Sequence, residues 1–331
     1  MNFVFMHRLS RAVIVLLALL SPAITLLADP PEAPLAKTAD IDFSVEYSTD
    51  RLLLGDILYA KVTMRNKTDH AIRIAKFDGL GIRAEHPIAS EILYHFGEFP
   101  GGATLLELAP GEEIVQLRIL DMFGNDGLED GEFNPFDPAL EGQTVVLHAS
   151  HSTLVSYQLG DVDFRDVLMK HVQKIQLGPP TIEKAAFDEA VAAMLKRADL
   201  KPLKLSFVYD LQTSYLFLPR ERRPLKAVLR AFAARLHVLS QQLPQQSSAR
   251  RAASILLQVD RFVTANGDAE DQAISSILSL LDEAPPMEQH FWRDLLLSKF
   301  RSARVLGTAN QHIVPPDKYE RFAKRMVAAG I

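Results

Sequence analysis

The sequence predicts a β region followed by an α region: an antiparallel β-sandwich, then an α-helical bundle or short helical array. Three observations carry that expectation. Between Ile41 and Leu177, apolar residues recur at every second position in short runs separated by turn residues, the period of half-buried strands. Beyond Pro224 the period changes. Leu225, Leu229, Phe232, Leu236, Leu239 and Leu243 step by four and three, which is one face of a helix. A length of 331 residues also favours two domains over one, and 48% hydrophobic content is enough to build ordinary cores.

The chain opens on an expected signal peptide over residues 1–28. Arg8 and Arg11 supply the positive segment, residues 12–20 an unbroken apolar run, and Ala28 a small residue at the expected cleavage point. Pro22 interrupts the apolar stretch before it reaches the roughly 20 residues needed to span a bilayer. A membrane role is therefore expected only through this segment, if it stays uncleaved. There is no cysteine, which excludes disulfides, thiol catalysis, cysteine-containing zinc patterns and a cysteine-linked lipid anchor. Bacterial export to the periplasm or cell envelope is the expected location.

Residues 29–38, rich in proline, read as a flexible leader, and residues 39–180 as the β domain. Ile41, Phe43, Val45 and Tyr47 alternate with Asp42, Ser44 and Glu46. The stretch 52–74 is the centre of the domain. Leu58, Ala60, Val62 and Met64 point one way and Tyr59, Lys61, Thr63 and Arg65 the other, giving a strand with one wet face. A polar turn at residues 66–70 leads to a second run with Ile72 and Ile74 inward, so the stretch reads as a core hairpin with a basic outer strip of Lys61, Arg65, Arg73 and Lys76. Asn66-Lys67-Thr68 matches a glycosylation acceptor but reads as turn chemistry. Short candidate strands follow at 79–84, 91–96, 104–108, 144–148, 153–158 and 172–177. In a further strand Val115, Leu117 and Ile119 alternate with Gln116 and Arg118. Strands at this spacing indicate an antiparallel sandwich.

Two motifs carry a resemblance. Val62 to Thr68 reads V-x-x-x-N-x-T, and Leu108 to Glu112 reads L-x-P-G-E. Together they resemble the immunoglobulin-like modules of bacterial envelope proteins, in both proteinase-inhibitor and adhesion forms. The resemblance covers roughly residues 40–180 and implies an immunoglobulin-like sandwich; its motifs are structural turns and bring no catalytic residue with them.

Gly178-Pro179-Pro180 ends the β domain. Thr181 is expected to cap a connector helix within residues 181–200, and residues 201–331 form the helical domain. Its helices are expected at 224–243, 248–265, 269–281, 287–306 and 316–329. Pro244 ends the first and Asn266-Gly267 the second. No fixed repeat period appears, which favours a bundle over a solenoid.

Charge divides with the domains. Residues 40–180 hold 23 acids and 11 bases, net −12, while residues 201–331 hold 12 acids and 19 bases, net +7. The expectation is that the two regions complement each other within one molecule. Arg220, Arg222, Arg223, Lys226 and Arg230 cluster at the start of the first long helix, where cations oppose the helix dipole. They form the candidate site for an anionic polymer or a partner protein. No nucleic-acid partner is expected, because the chain reads as exported, is net acidic, and interleaves no aromatic stacking residues with the cluster.

Two groups carry the metal candidates. The loop 121–137 places Asp126, Asp130, Glu132 and Asp137 around glycines with no basic residue, and calcium is the ion it would take, although Leu128 stands where a ligand belongs. His148 and His151, three apart at a strand end, are a zinc pair that Asp161 or Asp163 would complete. The bland alternative is a solvated acidic loop and two surface histidines, with no cofactor. His290, beside Phe291-Trp292, reads as a packed or capping histidine. No nucleophile elbow, phosphate-binding glycine loop, zinc-protease helix or dinucleotide fingerprint is present. The expected function is that of an exported, non-catalytic envelope binding or scaffolding protein. The alternatives are a proteinase-inhibitor-like protein, using a loop around residues 95–104, and a metal-dependent hydrolase.

Overall fold

The computed structural model describes residues 33–34, 36–75, 80–85, 92–95, 105–120, 138–153, 167–183, 240–301 and 314–331, with scattered positions between 185 and 237. Among these residues ten strands come first: β1 (Ile41–Tyr47), β2 (Arg51–Leu54), β3 (Leu58–Asn66), β4 (Ile72–Ala75), β5 (Leu80–Glu85), β6 (Ile92–His95), β7 (Leu105–Leu108), β8 (Glu113–Leu120), β9 (Thr144–Thr153) and β10 (Val167–Pro180). Four helices follow among the described residues: α1 (Ser248–Thr264), α2 (Asp268–Asp282), α3 (Pro286–Arg301) and α4 (Pro316–Ala328). The order β then α is as the sequence predicts. The expected helix over 224–243 and the strand over 153–158 fall almost wholly outside the described residues.

The strands form three sheets, ordered β1-β3-β8, β2-β10-β9-β5-β6 and β4-β7. All pairings are antiparallel except β2 with β10, which run parallel. The expected hairpin over 52–74 is therefore corrected. β3 pairs with β1 and β8, while β4 crosses to pair with β7. The polar turn between β3 and β4 is a crossing point between sheets, so of the expected basic strip Lys61 and Arg65 lie on one sheet and Arg73 on another, while Lys76 lies outside the described residues. Lys61 reaches Glu46 at 3.8 Å, and Arg73 is held by the Ala33 carbonyl.

That crossing depends on one residue. Asn66 is fully buried, and its amide nitrogen donates to the carbonyls of His70 (2.8 Å), Leu108 (3.0 Å) and Ala109 (3.1 Å). Its side-chain oxygen accepts from the Thr68 backbone and hydroxyl. The Asn66 backbone also bonds Glu112 and Gly111, and Gly111 takes the positive φ of 75° that this turn needs. The two motifs that carried the resemblance are thus two halves of one interlocked double turn.

Leu52, Leu54, Leu58, Val62, Met64, Ile72, Ile74, Val145, Leu147 and Ile175, with further residues of all three sheets, share a single buried cluster. β3 lies in the middle of its sheet with Leu58, Ala60, Val62 and Met64 in that cluster, as the alternation predicts. The wet face is only partly wet. Tyr59 is fully buried, because its side is covered by helices. β8 shows the same effect with its faces exchanged. Leu120 sits opposite Leu58 in the β core, so Gln116 and Arg118 lie on the core side, while Val115, Leu117 and Ile119 lie on the other. The period was legible, but the face was not. The end of the expected leader is docked as well: Arg73 donates its backbone N–H to Pro34, Ala36 returns one to Arg73, and Ala36 is buried.

The helices pack on a second cluster that includes Leu256, Val259, Ile274, Ile277, Trp292 and Leu296. Phe262, Phe300 and Phe322 form a triangle with ring centroids 5.0–5.3 Å apart, tying α1, α3 and α4 together. Gly267, at φ 62°, makes the sharp break between α1 and α2. Lys318 is buried, donates to the Ala265 carbonyl, lies 3.5 Å from Glu270 and rests over the Phe262 ring. The Thr181 hydroxyl donates to the Leu54 carbonyl at 2.9 Å. No helix among the described residues is long and apolar enough to cross a membrane.

Candidate functional site

The most elaborate polar cluster among the described residues lies where the β region meets the helices. Gly55, at φ 79°, turns the chain between β2 and β3, and the turn projects Asp56 toward the first turn of α1. The Asp56 carboxylate accepts from the Ala249 N–H (2.7 Å), the Ser248 N–H (3.3 Å) and the Ser247 hydroxyl (3.0 Å), as well as from the Ile57 N–H (2.9 Å). Helix N-termini leave unpaired N–H groups and carry positive dipole charge, so a carboxylate there satisfies both needs. Here it comes from 191 residues earlier in the chain, alongside the local cap in which Ser247 accepts from Arg250.

Behind the cap lies a buried ion pair. Arg251 donates from Nε and Nη2 to the two oxygens of Glu288 at 3.0 and 2.8 Å, and the Ser248 hydroxyl adds a third bond at 2.9 Å. Beside it, the Trp292 indole N–H donates to the Tyr59 hydroxyl at 3.0 Å, and Phe291 packs on the Tyr59 ring at 5.4 Å. Ile57, Tyr59 and Ile119 belong to the same apolar cluster as the helices. Burial pushes the Asp56 carboxyl up from its ordinary value despite its four donors, and does the same to Glu288 against the pull of Arg251. Burial also raises the Tyr59 hydroxyl, and the Glu288 charge adds to that rise. The chain's own donors fill the acceptor positions of both carboxylates, so the cluster acts to hold helix to sheet.

Among the described residues no ion pair joins the two regions; they meet through apolar burial and one acid at a helix end.

The residues singled out in the sequence are placed otherwise. His148 and His151 lie inside β9, and their odd separation sets them on opposite faces. His151 is fully buried, opposite Met169 and stacked on Phe43 at 6.5 Å, whereas His148 is half-exposed and opposite Val172. The strand does not bring the pair together. Asp126, Asp130, Glu132 and Asp137 lie outside the described residues, as do Asp161 and Asp163. The cations Arg220, Arg222, Arg223, Lys226 and Arg230 lie outside them too. Among the described residues no group of three or more metal-ligating side chains converges. His290 is exposed on α3, and its neighbour Trp292 takes the packed position. Sequence reasoning missed Asp56, Tyr59, Arg251, Glu288 and Trp292. The available signal was a large aromatic on the face of β3 assigned to water, together with the chain's one tryptophan.

No family model matches the chain, and no curated protein does. Solved structures give short likenesses. A β-glucosidase from Erythrobacter marinus is 19% identical over 41% of this chain and 15% of its own, with a TM-score of 0.25. One from Listeria innocua, in complex with glucose, is 16% identical over 43% and 17%, also at 0.25. The sporulation control protein Spo0M from Bacillus subtilis is 11% identical over 48% of this chain and 56% of its own, again at 0.25. The chain spans 15–17% of the length of these glucosidases. At such TM-scores these likenesses carry no argument about fold or activity, and the geometry of the chain has to speak for itself.

Proposed function

We propose that the chain is an exported, non-catalytic binding or scaffolding protein of the bacterial cell envelope, whose first region is an immunoglobulin-like sandwich. The observation that carries this reading is the seam between the regions. Asp56 on the α1 N-terminus and Tyr59 against Trp292 fix the sheets to the helices as one platform, which suits a protein that presents surfaces to others. The sandwich reading is supported by the single apolar core shared between sheets and by the interlocked double turn at Asn66. The expected signal peptide supports export to the periplasm or envelope.

The test is fractionation of a bacterial host expressing the full chain, with N-terminal sequencing of the recovered protein. The expected outcome is a mature chain beginning after Ala28 in the periplasmic or envelope fraction. It should bind a defined envelope component without turning it over. An uncleaved chain confined to the cytoplasm, or turnover of a defined substrate, would overturn the proposal.

A further inference from the structure

The outer face of the β2-β10-β9-β5-β6 sheet differs in charge from the rest of its region. Inward positions on β9 and β10, such as Val145, Leu147, Ile175 and Leu177, are buried in the β core. The alternate positions carry Lys170, Val172 and Lys174 on β10 and His148 on β9, with Arg51 on the neighbouring β2 opposite Gln176. Lys170, Lys174 and Arg51 are exposed, and no ion pair engages them among the described residues. Val172 is 56% exposed between the two lysines. β5 adds the register positions Arg83, opposite His148, and Glu85, opposite Val146. Cations thus gather on one sheet face of a region whose net charge is −12.

Three kinds of anionic partner would complement such a face, and its geometry favours one. Lys170 and Lys174 are four residues apart on one strand, a separation of about 13 Å. Charges set in a line across a flat surface match the repeated charges of an extended chain. A lipid surface is usually held by four to eight clustered cations or by inserted large apolar side chains. Val172 is the only exposed large apolar side chain described on this face. Protein partners are usually anchored by buried aromatic or arginine hot spots; here the described arginine, Arg51, is exposed on β2 at the edge of the face, and no Phe, Tyr or Trp stands among its described side chains. A valine beside an imidazole gives a sugar ring a small apolar seat between flanking cations.

We infer that the outer face of β10 and β9, centred on Lys170, Val172 and Lys174, docks a linear anionic polysaccharide. The inference rests on the envelope-binding reading and names the surface and partner class for it.

The probe is polygalacturonate, a linear uronate polymer, titrated into the full chain by calorimetry at low salt and again at near-physiological salt. Binding is expected at low salt and should weaken as salt rises, because exposed charges are screened beyond about 8 Å at physiological ionic strength. Lys170→Glu/Lys174→Glu should weaken it about tenfold or more, the order expected when two charge-assisted contacts are reversed. Both side chains are exposed, so the variant should keep the wild-type thermal unfolding; Lys170→Gln/Lys174→Gln serves in its place if it does not. Failure of the full chain to bind the polymer at low salt overturns the inference, and so does undiminished binding by the variants. Sedimentation with vesicles of phosphatidylcholine and phosphatidylglycerol in equal parts, or binding of polyglutamate, in preference to the polymer assigns the face to a lipid or a protein instead. Envelope fractionation separates the two levels: a chain found in the envelope whose variants still bind loses this surface but keeps the broader function.

Discussion

Replacing Asp56 with alanine tests whether the β turn holds the helical region in place. The substitution removes an acceptor shared by the Ser248 and Ala249 N–H groups, the Ser247 hydroxyl and the Ile57 N–H. Loss of a helix cap costs about 1–2 kcal/mol, and each buried donor left without a partner adds about 1 kcal/mol or more. Against this, the variant no longer buries a carboxylate whose pKa is already raised by desolvation, so a net loss of about 2–3 kcal/mol is expected. With a urea slope of about 2 kcal/mol per molar, the unfolding midpoint should fall by about 1–1.5 M. Trp292 is the only tryptophan and is bonded to Tyr59 across the seam. Its fluorescence therefore reports on the junction while far-ultraviolet dichroism reports on the helices. Both signals should shift together in Asp56→Ala. Asp56→Asn keeps one acceptor oxygen and should lose only about 1 kcal/mol. A midpoint for Asp56→Ala within about 0.3 M of wild type would refute the idea that this residue anchors the helices.

Tyr59→Phe leaves the Trp292 indole N–H buried without its 3.0 Å acceptor; a loss of about 1–2 kcal/mol and a changed Trp292 emission are expected, and unchanged emission would count against the contact. Asp56 and Glu288 both have folded-state pKa values raised above their unfolded values. The folded protein therefore binds more protons through that window, and the stability these groups contribute is present at acid pH and lost as pH rises through the folded pKa values. Around them lie Arg251, Tyr59, Ser247 and Ser248, and of these Arg251 moderates the Glu288 shift. Urea midpoints measured from the ordinary carboxylate range up to neutrality should fall with pH, less steeply in Asp56→Asn, and a rise would contradict the burial argument. Asn66→Ala breaks five side-chain hydrogen bonds, one of them to the buried Leu108 carbonyl, so thermal unfolding should report a loss of about 3 kcal/mol.

The periods, the turns and the order of the two regions are legible in the residues alone. Alternation placed Leu58, Ala60, Val62 and Met64 in the β core, and caps and glycines placed α1, α2 and α4 within a residue or so of where they lie. These signals are local, because strand and helix periods are written into neighbouring side chains. Which surfaces are covered depends on packing between distant segments. Tyr59 looks like a member of a solvent face until the helices bury it. Asn66 looks like a turn residue until Leu108 and Ala109, more than 40 residues on, take its amide hydrogens. His148 and His151 look like a pair until β9 runs straight through both and parts them by the pleat. Asp56 looks like an ordinary turn acid until α1 arrives to be capped by it. For Tyr59, Asn66 and Asp56 the deciding contact comes from far along the chain, where no local pattern can record it.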